Sequence, residues 1–555
     1  MQKRTDYKNY FKNVFVPVLV YGAFTGLLVG TIVFFFKWVA EWLTEKSIEI
    51  YHLAQSNPWI AVAVVAAAAA VAFLAYLLQR WAPETMGGGI PRAEGVLRGI
   101  LTFRWLRTGI AVIVNSWISF FMGLPLGSEG PSVLLGTAIG GGTCKLPLSH
   151  DSWDRYIMTG GACAGFAVAT SAPVTGILFA LEEAHKRFTP MIFLMAMSSV
   201  LFGVTASNLW SMLLGHDPAP LFNVGALMGS FEMKDIWVPL LLGAVIAAVA
   251  CGYNVVVFAM GKLWGGKLKK VPQWAKLIIV FVLTAVIGVI AVGNFNGADA
   301  LFGGGGLIVK LTVYEQFSWA VIFVLLLIRF FMIAFSTSSG ATGGVFIPML
   351  SIGALVGALC GKLFVVMGMD DSLYATVVML SMSAFMGAAT RAPLTALVFM
   401  VECTWSFNNL FYVGITVFTS YLICELVKVE PLYDVLLERM IEQQNRGKTH
   451  QIVELAYTVQ STAFAVGKSI RDVLWPANTK VTHVEEGDNV KRMDDDGEKK
   501  IRVGDKVTLI TQTYDLAATC RELDDILGMQ TEEAASSADV QDDTDKEQKS
   551  GNGAE

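Results

Sequence analysis

Glu129 is an ionisable residue in a glycine-rich segment of a hydrophobic chain, GLPLGSEGPSVLLGTAIG at positions 123–140. A carboxylate at membrane depth is costly and is retained mainly for function, by default in an ion or proton path. The neighbouring glycines leave backbone N–H groups free to face a ligand, and Pro131 suits the first turn of a helix. The segment therefore predicts the positive N-terminal end of a half-helix directed at an anion site, with the carboxylate in the anion's place.

The composition indicates that this segment belongs to a polytopic membrane protein. Of the 555 residues, 54% are hydrophobic and only 16% are charged, which is too little polar surface for a soluble protein. Two short runs with glycines, Ser132–Ile139 and Val345–Leu355, predict broken or re-entrant helices. Several longer runs reach the roughly 20 residues that span a bilayer, among Val14–Phe36, Ile60–Leu78, Met191–Leu214, Ile236–Phe258, Leu277–Val292, Ala320–Phe335 and Tyr412–Val427.

Two basic clusters predict the orientation of the chain. No small-residue cleavage site follows the first apolar run, so we expect a retained N-terminus rather than a signal peptide. The positive-inside rule predicts that both clusters lie in the cytoplasm. The clusters are Lys3, Arg4, Lys8 and Lys12 before the first apolar run, and Lys267, Lys269 and Lys270 in a later loop.

The hydrophobic region contains an internal repeat, with expected halves of about 14–215 and 236–427. Its matching segments are GSEGPSVLLGTAIG (127–140) with GVFIPMLSIGALVG (344–357), and ATSAPVTGILFALE (169–182) with ATRAPLTALVFMVE (389–402). Repeated halves with interrupted helices are typical of transporter folds, whose binding site lies at the repeat interface. Glu129 aligns with Phe346, so one loop offers a titratable group and the other offers backbone amides and an aromatic wall.

Four segments in order resemble the CLC family of chloride channels and proton-coupled anion transporters, over roughly residues 10–440. They are Gly87-Gly88-Gly89-Ile90-Pro91, Gly127-Ser128-Glu129-Gly130-Pro131, Gly344-Val345-Phe346-Ile347-Pro348, and Tyr433 within EPLY. They are similar to the family's GSGIP, G(K/R)EGP and GxFxP motifs and to the pore tyrosine that begins its last helix. The resemblance implies an all-α polytopic fold with an inverted repeat, and a homodimer with one pore in each subunit.

The resemblance also implies an anion-binding set, namely Gly88, Gly89, Ile90, Ser128, Gly130, Val345, Phe346, Ile347 and Tyr433. Amides around Gly130, Phe346 and Ile347 would form an outer anion site. Amides of Val345 and Phe346, together with the Tyr433 hydroxyl, would form a central site. Chloride and protons are the expected transported ions.

Glu129 matches the gating glutamate of the family, which occupies an anion site when deprotonated and swings away when protonated. Two residues depart from the family pattern. Gly88 stands where the family usually has a serine, so we expect weaker selectivity for chloride over nitrate or other anions. The methionine of the fluoride-exporting branch is also absent there, which argues against fluoride. Ser128 replaces a basic residue, which lowers the positive potential beside the gate.

Glu183 bears on the choice between exchange and passive conduction. Its repeat counterpart is Cys403, whereas Glu182 has the counterpart Glu402 and is assigned a structural role at a helix end. The family has its internal proton-transfer glutamate at the position of Glu183 in many antiporters and a non-acidic residue in channels. We therefore expect voltage- and pH-sensitive chloride/proton exchange. The alternatives are a passive chloride channel, exchange of another anion such as nitrate, and a Glu183 that only solvates a helix end beside Lys186.

The composition changes after about Arg446, so we expect a membrane domain over 1–446. Residues 451–528 predict a small cytosolic α/β domain, with strands in QIVELAYTV, TKVTHVEE and VTLI and a closing helix over Asp515–Leu527. VGKSIRDVLWP followed by VGDKVTLI resembles the TrkA-C domain of potassium-transport regulators. That resemblance implies a dimeric module with a small-molecule or nucleotide ligand, although a ligand-free assembly domain remains an alternative. The acidic tail, 529–555, is predicted to be disordered.

Other classes of protein are not favoured. A potassium-handling protein is suggested only by the C-terminal domain, because the membrane region has no TVGYG-like filter. The six histidines and scattered carboxylates form no metal or nucleophile motif, and the seven cysteines form no CxxC pair. We therefore expect no enzyme, no cofactor, no metal site and no nucleic-acid partner. The expected location is a bacterial inner membrane, with both termini in the cytoplasm.

Overall fold

The computed structural model describes residues 15–145, 151–294, 302, 305–486, 489–492 and 497–529. Predictions for the first basic cluster and for residues 530–555 lie outside these ranges. In chain order the α-helices of the membrane region are α1 (Val16–Ser56), α2 (Pro58–Trp81), α3 (Ile90–Leu97), α4 (Trp105–Phe121), α5 (Glu129–Thr143), α6 (Asp154–Thr170), α7 (Pro173–Leu178), α8 (Pro190–Leu213), α9 (Trp237–Gly265), α10 (Gln273–Asn294), α11 (Gly306–Leu311), α12 (Trp319–Ser339), α13 (Phe346–Val366), α14 (Tyr374–Thr390), α15 (Pro393–Thr404), α16 (Leu410–Val427) and α17 (Leu432–Gln444).

Within the described part of the chain, nine helical segments are long and apolar enough to cross a membrane. Each of the seven long apolar runs named from the sequence coincides with one of them, which confirms a multi-pass membrane protein. The 41 residues of α1 exceed its predicted run. At 1.5 Å per residue this helix is about 60 Å long, roughly twice the hydrocarbon thickness of a bilayer.

Small residues allow α1 to pack closely and in parallel against α8. A Cβ atom on Gly26 would lie 2.2 Å from the carbonyl oxygen of Ser199, and one on Gly30 would lie 2.1 Å from that of Gly203. Glycines four residues apart commonly allow such backbone approach between membrane helices. Because the contacts advance along both helices together, the beginnings of α1 and α8 lie on the same side of the protein.

The prediction of a short helix over Val345–Leu355 is wrong in length, since α13 continues for 21 residues. Its glycines do not interrupt the helix but bring it close to α14. A Cβ atom on Gly353 would lie 2.7 Å from Cβ of Phe385, and one on Gly357 would lie 2.5 Å from Cβ of Ser381. The counterpart α5 is shorter, with 15 residues.

Two glutamates join the repeat halves in a reciprocal arrangement. The Glu182 carboxylate accepts hydrogen bonds of 2.6 Å from both the N–H and the hydroxyl of Thr395, at the start of α15. The Glu402 carboxylate accepts bonds of 2.8 and 2.6 Å from the N–H and the hydroxyl of Thr175, at the start of α7. Each carboxylate therefore stabilises the positive helix end of the other half, as a local two-fold axis requires. This is the structural role predicted for Glu182.

The C-terminal domain is the small α/β unit that the sequence predicts. Its elements are β1 (Gln451–Thr458), β2 (Thr479–Glu486), β3 (Asn489–Arg492), β4 (Lys506–Thr513) and α18 (Leu516–Leu527). The strands form an antiparallel sheet in the order β1-β4-β2-β3, of which only β3 was not predicted. Asp515 begins the closing helix, because its Oδ1 accepts a 3.0 Å hydrogen bond from the N–H of Ala518.

This domain contacts the first residues of α6. The Tyr156 hydroxyl donates a 2.5 Å hydrogen bond to the carbonyl oxygen of Asp472, and Arg155 donates a 2.8 Å bond to that of Trp475. Arg155 also forms a 3.0 Å ion pair with Glu522 of α18. Backbone carbonyl groups of the domain therefore accept hydrogen bonds from side chains at the start of α6.

Candidate functional site

Three glycine-rich loops bring the beginnings of α3, α5 and α13 together. Gly127 and Gly344 exchange two backbone hydrogen bonds of 2.7 Å, which joins the two repeat halves. A Cβ atom on Gly130 would lie only 2.1 Å from the carbonyl oxygen of Gly88, and Gly89 has a φ of +75° that favours glycine. The three helix N-termini predicted to bind an anion therefore meet at one place.

Glu129 lies between two of these helix ends. It is the first residue of α5 and is 2% exposed. The Ser128 hydroxyl donates a 3.0 Å hydrogen bond to its Oε1, and the N–H of Ile347 in α13 approaches the same carboxylate. Its Oε2 has no hydrogen-bond partner among the residues that the structure describes. The carboxylate therefore occupies the kind of position in which an anion would bind.

A vestibule reaches this carboxylate. It has a volume of about 480 Å³, with Glu129 and Ile347 among its walls together with Lys37 and Glu41 of α1. Lys37 Nζ lies 3.8 Å from the Glu41 carboxylate. The sequence reasoning missed Lys37, although a cation directly after a predicted membrane run is a visible signal. The vestibule therefore holds a cation and a second carboxylate beside the gate residue.

Phe346, the counterpart of Glu129, is the first residue of α13 and is fully buried. Its ring makes edge contacts with Phe166 at 5.0 Å and with Phe399 at 5.2 Å between centroids. Phe166 also stacks on Phe179 at 5.3 Å. Phe179 and Phe399 are repeat counterparts, so the aromatic wall expected at this loop is built from both halves.

Tyr433 is the second residue of α17 and lies 3% exposed. Its hydroxyl has no hydrogen-bond partner in the described ranges. Val345 precedes α13, and its side chain lies 3.9 Å from the position of a Cβ on Gly88. A buried hydroxyl with an unused hydrogen is available to an anion beside these loops.

Ile90 is the one member of the predicted set whose N–H is engaged within its own loop. That N–H donates a 2.9 Å hydrogen bond to the carbonyl oxygen of Gly88. An anion that used this N–H would compete with the existing bond. The side chain of Ile90 is fully buried at the start of α3.

Glu183 lies in a π-helical turn, Phe179–Ala184, that continues α7. The bond from the His185 N–H to the Ala180 carbonyl oxygen, 3.1 Å long, spans five residues as a π-helix requires. Such turns are frequent at functional sites. Glu183 is 4% exposed, and neither carboxylate oxygen has a hydrogen-bond partner in the part of the chain described. Its counterpart Cys403 lies in the regular helix α15.

Arg98 connects the Glu183 turn to α3 and α17. It donates hydrogen bonds of 2.8 and 2.7 Å to the carbonyl oxygens of Glu183 and Ala184. Its guanidinium also lies 3.4 Å from the Glu94 carboxylate and 3.9 Å from that of Asp434. The sequence reasoning missed this cluster. Glu94 is 2% exposed, and the rule on ionisable residues at membrane depth that singled out Glu129 applies equally to it.

A family model described as voltage gated chloride channel, Voltage_CLC, matches residues 70–425 of the chain. The match covers more than half of the sequence, so the chain belongs to this family. It is therefore a multi-pass membrane protein for anion transport rather than an enzyme. The C-terminal domain lies outside the match.

Three solved structures share the fold. A slow cyanobacterial Cl⁻/H⁺ antiporter is 24% identical, with a TM-score of 0.70 over 77% of this chain and 99% of the antiporter. A eukaryotic CLC transporter is 18% identical, with a TM-score of 0.64 over 81% of this chain and 77% of the transporter. A CLC-type fluoride/proton antiporter is 19% identical, with a TM-score of 0.60 over 76% and 98%. These similarities establish the CLC architecture of the membrane region.

Proposed function

We propose that this protein exchanges chloride for protons, with Glu129 as the gate and Glu183 as the internal proton-transfer residue. The supporting observation is a pair of buried carboxylates, each with at least one oxygen that has no hydrogen-bond partner among the described residues. Glu129 faces the vestibule, which we assign to the outer side of the membrane. Glu183 lies four residues before Arg187, which faces the C-terminal domain. Protons and chloride thus share the outer part of the path and separate further in.

The gate works by competition between two anions. The deprotonated Glu129 carboxylate and chloride both favour the positive helix ends of α5 and α13, so only one of them occupies the outer site. Protonation removes the charge of Glu129 and leaves the helix ends to chloride. Oε2 has no hydrogen-bond partner among the described residues, and the carboxylate is held by the Ser128 hydroxyl together with the backbone N–H groups of Glu129 itself and of Ile347.

Glu183 supplies the inner proton step. Its carboxylate oxygens have no direct hydrogen-bond partner among the described residues, although the Thr390 hydroxyl lies near them, and Arg98 holds the backbone around the residue. A buried carboxylate can accept a proton from the cytoplasmic side and release it again toward the pore. The channel alternative assigns Glu183 no such role. The nitrate alternative is favoured by Gly88, where no side chain donates a hydrogen bond to the anion.

The test is proton movement in liposomes that contain purified protein. We would impose a chloride gradient, clamp the voltage near zero with a potassium ionophore and record external pH. Exchange predicts uphill proton movement driven by chloride. Glu129→Ala and Glu183→Gln should abolish that proton movement while chloride still crosses, and Glu438→Gln, an exposed site on α17, should leave it unchanged.

Two results would contradict chloride/proton exchange. Chloride efflux without proton movement in the unmodified protein would indicate a passive channel. Nitrate flux without chloride flux would indicate exchange or conduction of another anion, and would point to Gly88 as the reason.

We propose further that the protein works as a homodimer in a bacterial inner membrane, with both termini in the cytoplasm. The parallel packing of α1 and α8 supports a common side for the N-terminus and the C-terminal domain. The basic loop at Lys267–Lys270 supports the cytoplasm as that side. Native mass spectrometry tests the dimer, and labelling of single cysteines in sealed vesicles tests the orientation.

A further inference from the structure

A cavity of about 710 Å³ lies between the C-terminal domain and the loop that links the Glu183 turn to α8. The loop contributes Arg187 and Phe188. The domain contributes Arg471, Trp475 and Lys480. The volume is within the roughly 300–1,000 Å³ that is typical of small-molecule sites. The two sides of the cavity come from different domains, so a molecule bound here contacts both domains.

The described lining of this cavity is positively charged. Its described lining includes the three cations Arg187, Arg471 and Lys480 and no carboxylate. Arg471 has an ion pair of 3.5 Å with Glu498, a residue that is itself highly exposed. Thr189, which caps the N-terminus of the 24-residue helix α8, also lines the cavity. Side-chain cations and a helix dipole therefore raise the potential in the same space.

We propose that this cavity binds a phosphate-bearing small molecule. Two arginines and a lysine are the side chains that bind phosphate oxygens best, and arginine does so with two parallel hydrogen bonds. Trp475 and the 60%-exposed ring of Phe188 provide apolar surface for the remainder of the molecule. The phosphate belongs either to a soluble nucleotide or to a lipid headgroup, because the cavity lies where the membrane and cytosolic domains meet.

The bound molecule would act on transport through the loop. Arg187 lies four residues after Glu183, and the intervening backbone is held to Arg98 at Ala184. A phosphate that bridges Arg187 and Arg471 adds a cross-link between the C-terminal domain and this segment, which restrains the Glu183 turn and slows transport. This consequence rests on the proposed function, whereas binding itself does not.

Binding is tested by calorimetry on the purified full-length protein at low salt. The probes are ATP, ADP, inorganic phosphate and a short-chain phosphatidylglycerol. Arg471→Ala and Lys480→Ala should each weaken binding about tenfold, as expected for loss of a charge-assisted hydrogen bond. Glu498→Gln removes a competing carboxylate and should tighten it. Lys506→Ala, on an exposed part of β4, should have no effect.

The outcomes separate the two sources and can overturn the proposal. Binding of ATP or ADP alone indicates a nucleotide, and binding of the lipid alone indicates a headgroup. Failure of all four probes to bind, or equal binding to the Arg471→Ala and Lys506→Ala proteins, refutes the site. Slower chloride flux with ligand in the unmodified protein but not in Arg187→Ala supports the loop mechanism. Binding without any transport would support the binding site and contradict the proposed function instead.

Discussion

Replacement of Gly88 by serine should restore a hydrogen-bond donor to the anion site without disturbing the fold. A Cβ atom at this position has Pro91 Cδ at 3.8 Å and Val345 Cγ2 at 3.9 Å as its nearest heavy atoms, which is ordinary van der Waals contact. Gly88 is also not among the glycines with positive φ. A serine side chain therefore fits, and its hydroxyl would lie beside Val345, whose amide is assigned to the central site.

The expected gain follows from the hydrogen bond. A hydroxyl that donates to a charged acceptor contributes about 1.5–3 kcal/mol. We take the lower end of this range, and ~1.4 kcal/mol corresponds to a tenfold change in affinity. Gly88→Ser should therefore bind chloride about tenfold more tightly. Gly88→Ala adds the same Cβ without the hydroxyl and should leave chloride affinity unchanged.

Calorimetric titration of chloride into the purified variants measures this difference, and the ratio of chloride to nitrate flux in liposomes measures selectivity. Gly89→Ser serves as a steric control. Its φ is +75° and its Cβ would lie 2.3 Å from the Gly130 carbonyl oxygen, so this variant should lose stability. Equal chloride affinity of Gly88→Ser and Gly88→Ala would refute the argument that the missing hydroxyl weakens chloride binding.

Two further predictions concern contacts outside the anion site, one between the repeat halves and one between the membrane region and the C-terminal domain. Glu182→Gln and Glu402→Gln should each destabilise the protein by about 2 kcal/mol, because each carboxylate accepts three hydrogen bonds at the facing helix end. Similar losses in thermal midpoint are expected, and clearly unequal losses would contradict the two-fold equivalence. Arg155→Ala should release the C-terminal domain, so that limited proteolysis cleaves residues 445–450 faster than in the unmodified protein or in Lys506→Ala. Unchanged cleavage would show that Arg155 does not hold the domain.

The beginnings of the site helices could be predicted because glycine and proline act locally. Glu129 and Phe346 each begin a helix, and Pro131 and Pro348 lie in the first turns. These features follow from backbone geometry that needs no knowledge of the rest of the fold. The repeat then predicted that the loops would meet, and the paired hydrogen bonds of Gly127 with its counterpart confirm that they do.

The parts that could not be predicted depend on contacts between distant segments. The length of α13 was underestimated because a glycine at a helix contact and a glycine at a helix break look the same in a sequence. The Arg98 cluster required three helices to be placed before its partners were visible. The attachment of the C-terminal domain rests on backbone carbonyls such as that of Asp472, which carry no sequence signal.

The two repeat halves differ at the positions to which we assign the chemistry. Glu182 and Glu402 are equivalent and have a structural role, since each stabilises a helix end of the other half. At the neighbouring position one half has Glu183 in a π-helical turn and the other has Cys403 in a regular helix. A change confined to one half leaves the reciprocal contacts intact. A repeat protein can therefore gain a one-sided proton path without loss of the symmetric contacts that stabilise it.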